Sequence, residues 1–380
     1  MQTHHNSNPA SKPQLISLLT ILDEVPDPRV QCTVDHDLQD ILAIALCTIL
    51  SGGESFYDME EFGEVRLGWL KTFLRLRHGA PKHDTYNRVF QALDAEKFSD
   101  CLARWTQSVR AVLGGEVVAL DGKSLRRALN QGEDVRILVS AWATESGLLL
   151  GQRKVKAKSN EITIVPELLQ ALELAGCIVT ADALHCQKHI AKEIIEADAD
   201  YVLALKGNQG TAFAEIKTFL DDAIQRQEAH LVTYQTTEKD HGRLEVRRYW
   251  QTEQIAWFAD RKDWEGLRSV GVVEARREIK GKASVERRYY LSSLPVGVEK
   301  FARAVRGHWR IENQLHWVLD VVFGEDQSRA RTGNAAENLA ATRRLAINLL
   351  RRDKTCKRGI KGKLMRAAID PNYLKLILTT

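Results

Sequence analysis

Apolar positions along the chain fall into two regimes. From Leu15 to about Leu113 they recur with helical spacing, in Leu15 to Leu19, Asp37 to Leu50, Asp58 to Leu76, Thr85 to Leu93 and Lys97 to Val112. Pro26, Pro28, Gly52-Gly53, Gly79 and Pro81 punctuate these segments, and Asp84 is placed to N-cap the fourth. Then the period changes. Val117 to Leu120, Ile137 to Ala143, Leu148 to Val155, Ile178 to Ala181 and Tyr201 to Leu205 read as strands, with a turn at Gly147. Helical patterns cover Ile162 to Leu174, where Pro166 suits an early turn, and Gln187 to Ala197.

Three strands in succession, then helix, strand, helix, strand, is the order of a ribonuclease H-like mixed sheet flanked by helices, an α/β unit in a chain that is α+β overall. The ends of the first and fourth strands, carrying Asp121 and Asp182, lie side by side in such a sheet. A further helix spans Phe213 to Arg226, and a β-rich stretch runs from Leu231 to Ser292, long enough to require its own small sheet. The closing helices are Val298 to Phe323 and Ala335 to Arg352. The expected layout is a disordered tail over 1–12 and a helical N-terminal domain over 13–113. A catalytic domain over 114–212 and 294–350 is interrupted by a β-rich insertion over 213–293, and a basic C-terminal tail covers 351–380.

The formal charge of +4 conceals an asymmetry. Between Phe301 and Arg366 there are 15 Lys or Arg against 6 Asp or Glu, as a protein facing a polyanion would have; a solvated basic helix reads the same way. Arg351 to Arg366 alone holds eight basic residues against Asp353. Six cysteines are scattered without a C-x-x-C pair, the pattern of reduced thiols in the cytoplasm. No signal peptide is evident, and the longest apolar stretch, Ile41 to Leu50, is about half a membrane span.

Two stretches carry the candidate chemistry. Val117 to Leu120 delivers Asp121 into Gly122-Lys123-Ser124, where the glycine leaves room for a metal ion or phosphate; an ordinary Asp-Gly hairpin turn is the plainer reading. Cys177 to Ala181 delivers Asp182 by the same logic. Two neighbouring carboxylates require a cation between them, and hard oxygen ligands favour Mg²⁺ or Mn²⁺. Glu312, on a Trp- and Arg-rich helix turn, is the preferred third carboxylate over Asp320, Glu325 and Asp326. Such a trio holding two ions would activate water or a 3′-hydroxyl for attack on a phosphodiester.

Several features remain open on sequence alone. His308, Glu312 and His316 share a helix face and could bind a metal without the aspartates. His185, Cys186 and His189 are a weaker metal set. Lys206-Gly207-Asn208-Gln209 could offer amides to a phosphate or form a tight turn. Trp309 and Trp317 read as core more readily than as base-stacking residues. No nucleotide-cofactor motif occurs.

Leu120 to Arg126, Lys158 to Thr163, Thr180 to Ala183, Lys206 to Gln209 and His308 to Asn313 resemble, in order and spacing, the DDE transposases of bacterial insertion sequences. The resemblance extends over nearly the whole chain and points to the ISAs group and the H-repeat-associated proteins found beside Rhs elements. It implies that Asp121, Asp182 and Glu312 hold the metal ions, and that a homodimer acts on terminal inverted repeats and target DNA. Related enzymes carry Tyr and Arg seven and four residues before the glutamate and Lys seven after it; Val305, His308 and Leu319 stand there instead. Phosphate contacts are then expected from Lys123, Arg126, Lys206, Asn208, Gln209, His308, Trp309, Arg310 and Asn313. Arg306, Arg351, Arg352, Lys361 and Lys363 are further candidates. A nuclease without strand transfer and a silent DNA-binding remnant are the alternatives.

Overall fold

The computed structural model describes residues 17–30, 34–110, 114–128, 135–155, 160–240, 243–279 and 282–379. The expected tail over 1–12 lies outside them, as do Lys158 and Ser159. Among the described residues nine strands form one sheet: β1 (Val117–Ser124), β2 (Ile137–Ala143), β3 (Leu148–Lys154), β4 (Ile178–Ala181), β5 (Asp200–Leu205), β6 (Val232–Asp240), β7 (Arg243–Thr252), β8 (Ser269–Ile279) and β9 (Lys282–Ser292). Their order is β3-β2-β1-β4-β5-β9-β8-β7-β6. The first three strands pair antiparallel, and β4 and β5 continue parallel to β1, which is the ribonuclease H-like arrangement.

The β-rich stretch does not build a sheet of its own. β9 pairs antiparallel with β5, from Val202↔Ser292 to Leu205↔Tyr289, so the insertion's two long hairpins extend the central sheet. An edge strand exposes unpaired backbone groups, and adding β9 to β5 satisfies them without a second core.

Strand periodicity decides what each face of the sheet meets. Val118 and Leu120 of β1 and Val179 and Ala181 of β4 face the core shared with helices Glu161–Gln170 and Lys188–Glu196. Val117 and Ile178 point the other way, against Phe301 and Val305 of helix Val298–His308. Ala119 belongs with Ile311 and Leu315 further along the same helical run. Gly307 permits the close approach, since a Cβ there would meet Val117 Cγ1 at 2.8 Å.

The helical N-terminal segments have no separate core. Helices Leu38–Leu50, His83–Ala92 and Ala95–Val109 pack in one apolar cluster with helix Ala335–Arg352 and with helices Ile360–Ile369 and Pro371–Thr379. Asp84 is not an N-cap: the fourth helix starts at His83 after Lys82, leaving Asp84 in the first turn.

The basic run from Arg351 to Arg366 is likewise not a free tail. Lys363 is buried, and its Nζ donates to the carbonyls of Leu350 and Asp353, neutralising the carbonyl end of helix Ala335–Arg352. Arg351 donates to Gln314 O and stacks 5.1 Å from the Trp142 ring centre. Arg352 donates to Val109 O and stacks 5.6 Å from that of Trp105. Lys363 is thus taken up in packing, Arg351 and Arg352 are half-buried against aromatic rings, and Lys361 is exposed.

Candidate active site

The pleat of β1 and β4 sets the position of the two aspartates. Parallel pairing runs from Val117↔Ile178 to Leu120↔Ala181, and Asp121 and Asp182 each stand one residue beyond that last pair. By alternation both follow Val117, Ala119, Ile178 and Thr180 onto the face covered by the Val298 helix. β1 does not stop at Asp121. Its antiparallel pairing with β2 continues through Asp121↔Ser140, Gly122↔Val139 and Lys123↔Leu138, so Asp-Gly is strand and not a turn.

A Cβ at Gly122 would meet Glu161 Oε2 at 1.9 Å, so the glycine leaves space that a fourth carboxylate enters. Glu161 in turn lies 3.5 Å from His185 Nε2, and His185 Nδ1 lies 3.0 Å from Asp182 Oδ1. The loop holding Asp182 is fixed from two sides. Asp182 Oδ1 accepts from the backbone N–H groups of Leu184 and His185. Asn208 donates to Ala183 O and Gln209 donates to Cys186 O at 2.8 Å, so these two position the loop while Lys206 stays exposed.

The helix expected to run unbroken from Val298 to Phe323 contains a π turn at Glu312–His316 before its last helical segment, Trp317–Val321. One extra residue in a turn re-aims side chains, and π turns concentrate at functional sites. Within this turn His316 Nδ1 lies 3.0 Å from Glu312 Oε2 and 3.5 Å from Asp121 Oδ2. One ligand atom each from Asp121, Glu312 and His316 lie within 4.8 Å of one another. Asp182 is outside that group, its carboxylate occupied by the His185 loop. His308 joins Thr180, with Nδ1 3.3 Å from Oγ1, and does not share the His316 cluster.

Electrostatics mark the same spot. Burial, followed by the charges of Asp182 and Glu312, pushes Asp121 up to about 7 against the pull of its Gly122 N–H bond. Burial also acts upward on Asp182, but the His185 contacts outweigh it and hold that group below the usual range. Burial pushes His308 down to about 4 and lowers His316 despite Glu312. A cluster of oxygen donors and one imidazole, with a carboxylate unable to ionise fully alone, fits a hard divalent cation.

The surrounding cations divide into held and free. Lys123 is buried, 2.7 Å from Asp320 and 3.4 Å from Asp326, which removes it from the phosphate contacts and makes those two acids its partners. Arg126 is 77% exposed and only grazes Asp326. Arg306 pairs with Glu238 at 3.0 Å. Arg310 and Asn313 are exposed. Trp309 and Trp317 are 42% and 55% exposed, contrary to a core role, and Arg288 lies 4.5 Å from the Trp309 ring centre. Sequence reasoning missed Arg288, reached Glu161 only as part of the Lys158 to Thr163 motif, and read His185 in a weaker metal set and not as the neighbour of Asp182 and Glu161.

The fold defines a ribonuclease H-like protein with an acidic centre where strands β1 and β4 meet a kinked helix. The Transposase DDE domain model matches residues 113–349, and the DDE_Tnp_1-associated model matches residues 19–106. The chain belongs to the DDE transposase family. "Putative transposase YncI" of Escherichia coli O157:H7 is 39% identical over 373 residues, 96% of this chain and 95% of that one. "H repeat-associated putative transposase YhhI" of Escherichia coli K12 is 39% identical over 375 residues, 96% of this chain and 98% of that one. A piggyBac transposase in a synaptic complex with hairpin DNA has TM-score 0.46 and 11% identity, covering 95% of this chain and 79% of its own.

Proposed function

We propose that the chain cleaves and joins DNA strands at the ends of an insertion sequence. The observation carrying this reading is the meeting of Asp121 with Glu312 and His316 across the fold, beside the strand end that bears Asp182. Asp121, Asp182 and Glu312 would hold Mg²⁺ or Mn²⁺, with two ions per site as the family resemblance implies. Such ions activate an attacking oxygen and stabilise the leaving one in phosphodiester chemistry. The protein's own part is orientation: the His185 loop fixes Asp182, the π turn aims Glu312, and His316 stands between Glu312 and Asp121.

Exposed Arg126, Arg310, Lys206 and Lys361 are available to phosphates, and Trp309 and Trp317 offer rings to bases. The DNA is the element's terminal inverted repeats and the target, held by a homodimer so that both ends react together. Among the described residues no helix is long and apolar enough to cross a membrane. The five described cysteines are buried and unpaired, which supports a cytoplasmic setting.

The test incubates the chain with a duplex carrying the element end, a target plasmid and Mg²⁺ or Mn²⁺. Strand cleavage followed by joining is expected. Cleavage without joining would make it a nuclease, and binding without either would make it a silent remnant.

A further inference from the structure

Helix Ala335–Arg352 carries two adjacent buried arginines with different surroundings. Arg344 Nη1 lies 2.6 Å from Glu325 Oε1 and donates to Ala340 O. Arg343 is 2% exposed and has no hydrogen bond or ion pair among the described residues. Glu325 and Glu54 influence its charge through space, while burial works against it. A guanidinium held this deep without a paired acceptor is an unfilled anion partner.

Arg343 lines a groove of about 600 Å³ between the N-terminal helices and segment 324–332. Arg329 and Tyr57 stand on its rim, both exposed, and Tyr57 stacks on His83 with ring centres 4.3 Å apart. Segment 324–332 is tied to the acidic centre beside the groove, because Asp326 lies 3.4 Å from Lys123, two residues beyond Asp121. Gly324 adopts φ +59°, and a Cβ there would meet Glu54 Oε2 at 2.8 Å, so Glu54 closes tightly over that corner of the groove.

We infer that this groove seats a phosphate of the DNA strand leading into the active site, with Arg343 as its buried anchor. The inference rests on the DNA reading above. A phosphate supplies the bidentate acceptor that the planar guanidinium lacks. A duplex running over the rim would reach it beside Tyr57 and Arg329.

The test measures binding of a fluorescent duplex to the full chain across a salt series, with melting temperatures of the free proteins alongside. Arg343→Met is expected to bind about tenfold more weakly. Its log K against log[salt] slope should fall by about 0.9, one phosphate contact, without a loss of melting temperature. Arg329→Ala, on the exposed rim, should lose affinity and slope without a folding risk, and it decides the matter should Arg343→Met not fold. Unchanged affinity and slope in both variants, with wild type binding DNA, overturn the groove alone; a wild type that binds no DNA overturns the functional reading with it. A lowered melting temperature with an unchanged slope makes Arg343 a structural cation. Stabilisation of wild type by inorganic phosphate, with unchanged DNA binding in the variants, makes the groove a free-ion site, and both results overturn the proposal.

Discussion

Glu312 Oε2 and His316 Nδ1 lie 3.0 Å apart, an i, i+4 pair at the two ends of a π turn. The same imidazole reaches Asp121, so it connects a helix to the strand it covers. On the proposed reading, Asp121→Asn, Asp182→Asn and Glu312→Gln each abolish strand cleavage while DNA binding survives. His316→Gln keeps the carboxylates but removes their shared neighbour, and should lower cleavage or metal affinity about 10- to 100-fold. Metal titration followed by a cleavage assay reads both. A fully active variant at any of these positions removes that residue from the site.

Acid and base limits of stability should come from different sides of this site. Asp121, raised to about 7, keeps its proton in the folded state where the unfolded chain has lost it, so stability falls as pH rises from about 4 to 7. His308, lowered to about 4, stays neutral when folded, so stability falls as pH drops from its ordinary value near 6.5 toward 4. Across that window the two trends oppose each other. Calorimetry of the metal-free protein should give a shallow profile, Asp121→Asn should expose the acid loss, and His308→Gln the loss toward pH 7. Added Mg²⁺ or Mn²⁺ should restore stability at pH 7 and above, where Asp121 ionises. Identical profiles for all three proteins would refute this assignment.

Gly122→Ala drives a methyl group into the Glu161 carboxylate. The atoms met are the far end of a flexible side chain that can turn away, so the single substitution should cost less than the roughly 1–3 kcal/mol of a rigid overpacked core. Pairing it with Glu161→Ala should recover most of that loss, because the second change empties the space the methyl needs. Urea denaturation of the single and double variants measures the coupling, and simple additivity would mean that the two groups do not collide.

Arg344 and Glu325 form a pair that is 1% exposed on each side. Glu325→Gln leaves the guanidinium buried without its counter-charge and should cost about 3–5 kcal/mol. Its neighbour Arg343 lacks a paired acceptor, so Arg343→Met is expected to keep its melting temperature, and the unfolding midpoints of Glu325→Gln and Arg343→Met provide an internal control.

Much of the fold was legible because strands buried on both faces read as short apolar runs: Ile137–Ala143 and Ile178–Ala181 fall where the pattern placed them. What pattern could not supply was partnership. Asp-Gly in β1 looks like a turn until Glu161 is seen filling the glycine's space, and the hairpins look independent until β9 is seen beside β5. Charge was the most misleading signal. Lys363 reads as a surface lysine, yet it caps the carbonyls of Leu350 and Asp353, and Lys123 reads as a phosphate ligand while it sits between Asp320 and Asp326. The π turn has no sequence mark beyond the i, i+4 spacing of Glu312 and His316.

The pairing of β9 with β5 has a mechanical consequence. β8 and β9 are each eleven residues long, roughly 36 Å end to end, and they hang from the same backbone lattice as the acidic centre. A load at their tips is borne through β5 to the 206–209 turn that grips the Asp182 loop, with no joint in between to absorb it. Amide exchange should accordingly find β5 and the sheet-proximal half of β9 opening as one unit; separate opening would place a joint there after all.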